Sequence, residues 1–99
     1  MAYFQVLLHG ADFVFNFDGI EEKGGFYTTR WVKANSENEA ELKAVSLLKS
    51  DQNLHDVSVK TERYTPMIFL EEIAKVNWFN YVRNYPGKGY TFYTGDDDS

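Results

Sequence analysis

The chain reads as an α+β domain: a mostly antiparallel sheet of about four to five strands with one main helix packed on one face. Three observations predict this. Apolar residues alternate at Phe4, Val6 and Leu8; the run GFYTTRWVKA is dense in aromatic and β-branched residues; and a capping box at Ser36 opens a stretch of helical periodicity. The 99 residues contain no internal repeat, which fits one core. With 43% hydrophobic residues and 17% aromatics, a chain of this size buries roughly 65% of its extended surface on folding. Residues 1–95 are therefore read as a single domain and 96–99 as a flexible acidic tail.

The first strand places Phe4, Val6 and Leu8 toward the core, with Tyr3, Gln5, Leu7 and His9 opposite. After Gly10 and Ala11 the apolar parity shifts to Phe13, Phe15 and Phe17, so one long strand with a bulge or bend near Gly10 is expected. Asn16, Asp18 and Gly19 mark a turn, and Glu21 to Gly25 reads as a polar connection into the second strand. Ser36 and Glu39 then form the capping box, with Glu39 expected to reach back to the Ser36 amide. At 100° per residue, Ala40, Ala44, Val45, Leu47 and Leu48 share an arc, while Leu42 falls on the polar side.

Asp51 to Asp56 reads as a polar connection and Val57 to Glu62 as a further strand. MIFLEEIAKV, Met67 to Val76, admits two readings. Thr65-Pro66 suits a helix start, but a helix here would be apolar around most of its circumference, so a strand is the choice. Trp78 to Tyr85 suits a helical turn, and Tyr90 to Tyr93 a short closing strand.

Two strands, a helix and further strands make a ferredoxin-like or related two-layer sandwich the economical architecture. The step from WVKANSENEA into the helix resembles strand-to-helix junctions of small ferredoxin-like modules. The GFYTTR strand, the capped helix and the later EEI strand also resemble small uncharacterised bacterial proteins. Neither resemblance implies an activity or a site.

Composition narrows the function classes. The absence of cysteine removes disulfides, thiolate metal sites and cysteine nucleophiles. MAYFQVLLHG lacks the basic region and cleavage site of a signal peptide, and no apolar stretch reaches membrane length, so a cytoplasmic location without membrane contact is expected. Fifteen acidic against ten basic residues give a net charge of −5, which disfavours nucleic acid.

His9, His55, Asp12 and Asp56 are the only material for an imidazole–carboxylate pair, and no ligand spacing connects them. Strand alternation sends the adjacent Glu71 and Glu72 to opposite faces. Gly87-Lys88-Gly89 lacks phosphate-loop spacing, and the Asp96-Asp97-Asp98 run lacks the mixed ligands of a calcium loop. No catalytic residue, metal ligand or cofactor is expected.

The aromatic residues are the better candidates. Tyr27, Arg30 and Trp31 could bind a planar or anionic ligand, although alternation separates Tyr27 and Trp31 from Phe26 and Arg30. Trp78, Tyr81 and Tyr90 belong to a second aromatic group near the C-terminus. The leading reading is a non-enzymatic binding or assembly module. It is expected to form a homodimer through the C-terminal aromatics and a sheet edge, with a protein or small ligand as a further partner. Two alternatives are a small enzyme using His9 or His55 with a carboxylate, and single-stranded nucleic-acid binding through sheet aromatics.

Overall fold

The computed structural model describes residues 1–59, 64–87 and 89–94. Seven elements follow in order: β1 (Ala2–Phe17), β2 (Ile20–Ala34), α1 (Glu37–Lys49), α2 (Gln52–Val57), β3 (Met67–Val76), α3 (Trp78–Asn84) and β4 (Thr91–Thr94). They form one antiparallel sheet in the order β3-β1-β2-β4, with helices packed against it. The α+β two-layer sandwich is thus present. Of its two expected forms this is the related one, since its first two strands make a hairpin instead of flanking a helix.

β1 and β2 are long because their turn continues the strand twist. Asp18 and Gly19 both take positive φ, 55° and 85°, the two-residue geometry that lets Phe17 pair directly with Ile20. Asn16 fixes the turn by accepting the Gly19 amide at 2.8 Å. The stretch Glu21 to Gly25, expected as a connection, is the first part of β2, because this tight turn returns the chain at once. The parity change in β1 is a register shift between Gly10 and Phe13, with Asp12 at φ 60°.

Below the bend, Phe4, Val6 and Leu8 stand opposite Val32, Arg30 and Thr28 on one face. There α1 contributes Ala40, Ala44 and Leu48, and α2 contributes Leu54, to a core that also contains Phe15 and Phe26. Leu42 faces solvent, as its place on the helical wheel predicts. At the helix start the Ser36 hydroxyl accepts the Glu39 amide at 3.2 Å, while the Glu39 carboxylate reaches the Asn35 amide at 2.6 Å instead of that of Ser36. The box closes one residue further out.

The expected strand at Val57 is corrected. Asp51 caps a short helix by accepting the Asn53 amide, Gln52 and Asp56 pair one turn apart, and Val57 ends α2. Ser58 makes an isolated bridge to Phe15, and Val59 donates its amide to Val14 at 2.7 Å. The remainder of that expected strand and the acidic tail lie outside the described residues.

Met67 to Val76 is a strand, at one edge of the sheet. From its end, α3 crosses the face opposite α1. Tyr81 packs on Tyr3 at 4.8 Å between ring centroids, and the Trp31 indole donates to Asn80 at 2.9 Å. The chain then meets β2 where the Trp31 amide donates to Pro86, and continues into β4 beside Gly24 to Tyr27. The rest of this second face is uncovered by any described helix.

Candidate functional site

The expected site residues fall into three places. Arg30 and Tyr90 lie on the covered face, Tyr27 and Trp31 on the open face, and Trp78 and Tyr81 on α3. Arg30 therefore does not join Tyr27 and Trp31 in one ligand site. The reason is the strand period of two, which sends position 30 into the core.

Arg30 is only 2% exposed and ties three segments together. Its guanidinium donates to the Thr28 hydroxyl and to the Thr29 carbonyl at 2.9 Å, lies 3.5 Å from an Asp51 carboxylate oxygen, and sits 4.9 Å from the Tyr90 ring centre. Thr28 donates to Gly89, and the Tyr90 hydroxyl donates to Asp51 at 2.7 Å. Burial alone would make Asp51 a weaker acid, but the Tyr90 hydroxyl, the Asn53 amide and Arg30 outweigh it and hold the carboxyl below its ordinary value. Tyr90 is pushed well above its ordinary value, by burial first and then by its hydrogen bond to Asp51. This network is a structural staple, closed to ligands.

Its pH dependence has a defined sign at each end. Asp51 is more acidic in the folded chain, so its contribution is present above the ordinary carboxylate range and is lost as pH falls through the depressed value. Tyr90 is less acidic when folded, so its contribution is complete below about pH 10 and is lost as pH rises through the elevated value. The urea midpoint is expected to decline at both extremes. Asp51→Asn should flatten the acid limb and Tyr90→Phe the alkaline limb; unchanged limbs would remove these groups as their source.

The open face carries the arrangement with chemical potential. Phe69 of β3, His9 of β1 and Tyr27 of β2 stand in one register row, joined by Tyr93 of β4. His9 stacks on Tyr27 at 4.4 Å and 11°. The Tyr93 hydroxyl lies 2.6 Å from His9 Nε2, and a Glu71 carboxylate oxygen lies 3.4 Å from Nδ1. With Nδ1–H directed to Glu71, Nε2 is free to accept the phenol proton, which fixes one tautomer.

Glu71 reaches this face by ordinary alternation from Phe69, and the bulge in β3 between the partners of Leu7 and Leu8 brings Glu72 onto it as well. Glu72 stands opposite Leu7 on the same face, so the expected separation of the two carboxylates is corrected: the extra residue cancels the alternation. From the sequence, the carboxylates set beside His9 are Asp12 and Asp56 alone. Glu71 and Tyr93 come from strands 62 and 84 residues away, and only the β1–β3 and β2–β4 registers bring them together.

Carboxylate, imidazole and hydroxyl form the connectivity of an acid–base chain. The phenol is not primed as a nucleophile, however: burial, followed by the neighbouring Tyr27 and Asp12, pushes Tyr93 above its ordinary value. His55 lies across the sheet on α2, with Nε2 donating to the Lys49 carbonyl, so the two histidines do not cooperate. Among the described residues, no group of three or more His, Asp or Glu could hold a metal ion.

The third place is the outer side of α3. Trp78, Val82 and Tyr85 follow one another at i, i+4 and i+7 and are exposed beside Phe79; α3 buries no residue. Next to this stripe, Leu42, Lys43 and Leu47 of α1, Lys33 of β2, and Tyr81 and Tyr85 line an open groove of about 550 Å³. Tyr90, expected to belong to a partner surface, packs on Phe26 with centroids 5.3 Å apart, and Phe92 does so at 6.2 Å.

No family model, curated protein or solved structure matches this chain. No helix among the described residues is long and apolar enough to cross a membrane.

Proposed function

We propose that the chain is a non-enzymatic binding and assembly module that acts as a homodimer, its subunits joined through the outer stripe of α3 and the groove beside it. The carrying observation is the exposed stripe itself, in which Trp78 is 59% and Phe79 62% exposed, with Leu42, 69% exposed, lining the adjoining groove. An aromatic side chain can bury ~150–250 Å². Three half-exposed aromatics with Leu42 and Val82 thus offer roughly 500–600 Å² per subunit, near the lower bound for a specific pair.

A second copy suits this surface because stripe and groove adjoin, so a twofold axis near Tyr85 can seat each stripe against its partner's groove. The β3 edge suits it less. It carries a bulge and the charges of Glu71, Glu72 and Lys75, features that discourage edge-to-edge pairing.

Light scattering over a micromolar concentration series should give twice the chain mass. The double variant Trp78→Ser/Val82→Glu should give the single mass with its melting temperature within a few degrees, since neither side chain is buried. A parent that remains monomeric throughout the series would sink the proposal. The Glu71–His9–Tyr93 connectivity supports a second reading, acid–base catalysis at His9.

A further inference from the structure

We infer that the open sheet face binds an arginine-bearing segment of a basic partner protein, with guanidinium groups laid on the ring row and held by Glu71 and Glu72. This surface is separate from the α3 stripe. Its floor is a cluster of rings drawn from all four strands: Phe69, His9 and Tyr27 stand in one register row, and Tyr93, opposite Gly25, closes against both His9 and Tyr27, with neighbouring centroids 4.4 to 6.2 Å apart. Its polar margin is anionic. Glu71 already contacts His9, while Glu72 has no ion-pair partner among the described residues.

Charge complementarity decides the class of occupant. Two carboxylates on one face of a chain with net charge −5 attract a cation and repel phosphate. The rings then select among cations. A guanidinium is planar, stacks on aromatic faces and offers a fork of N–H donors to a carboxylate, whereas an ammonium is a strongly hydrated point charge.

Geometry favours a segment over one free side chain. The ring cluster is at most about 12 Å from Phe69 to Tyr93, since His9 lies 6.2 Å from one and 5.8 Å from the other. In an extended chain, alternate residues lie ~6.8 Å apart, so three alternate side chains cover that width. Each contact alone is weak, about 0.5–1 kcal/mol at an exposed ring, so several are needed together.

The test is an NMR titration with three pentapeptides carrying arginine, lysine or aspartate at alternate positions. The arginine peptide should bind about tenfold more tightly than the lysine peptide, the equivalent of ~1.4 kcal/mol. The aspartate peptide should not bind. Shifts should centre on Tyr27, Phe69 and Tyr93, and Glu71→Gln/Glu72→Gln should weaken arginine-peptide binding about tenfold. Both glutamates are exposed, so an unchanged melting temperature is expected for that variant. Equal arginine and lysine affinities, indifference to the double substitution, or shifts confined to α1 and α3 would each overturn the inference. The monomeric α3 variant should bind the peptide as the parent does, which separates this result from the fate of the dimer.

Discussion

Arg30→Ala is expected to lower the unfolding free energy by about 3 kcal/mol, the lower part of the range for breaking a buried charge network. For a domain near 100 residues, that corresponds to a fall in melting temperature of roughly 12–24 °C. The loss has several parts. The guanidinium binds Thr28, the Thr29 carbonyl and Asp51 and lies under the Tyr90 ring, so removing it orphans polar groups and leaves a cavity. Asp51 is 21% exposed, which lets water rehydrate its carboxylate and keeps the effect from the top of the range. Arg30→Lys should recover only part of the loss, because one ammonium cannot fork between Thr28 and Asp51. If Arg30→Ala unfolds within about 1 kcal/mol of the parent, the network is not what joins α2 and the segment before β4 to the sheet.

Gly24→Ala is expected to detach β4 at a cost of about 2–3 kcal/mol, in the range of overpacked sites. A Cβ at position 24 would stand 2.1 Å from the Tyr93 carbonyl oxygen and 3.0 Å from the Thr94 Cα, and backbone atoms cannot step aside as a side-chain end can. The weaker partner gives way, and β4 is a four-residue strand exposed along its length. Its departure would take Phe92 from Phe15 and Tyr93 from His9. Hydrogen exchange should therefore show lost protection at Thr91 to Thr94 with β1 and β2 still protected. Retained protection in β4 would mean that the two strands can separate slightly without parting.

The separation of Arg30 from Tyr27 and Trp31 is legible in strand alternation, whereas its burial in the core is a property of the structure. Its partners are not legible either, since Asp51 lies 21 residues from Arg30 and Tyr90 a further 39 residues on. β1, its bend, α1 and the strand character of Met67 to Val76 all followed from local period and capping. α2 escaped because six residues give less than two helical turns, too few for periodicity to declare itself. The carboxylate pair on the open face escaped for another reason: a bulge reverses alternation without leaving a composition signal, and it set Glu72 on the same face as Glu71.

The order of the strands carries a consequence for synthesis. The two central strands and α1 are contiguous in the chain, whereas both flanking strands come from its last third. A ribosome therefore delivers the middle of the sheet while neither neighbour yet exists. During that interval the hairpin presents two unpaired margins, the state most open to pairing with other nascent chains. Arrival of the C-terminal third closes both margins, so the late segment that completes the open face also ends the period of greatest exposure to aggregation.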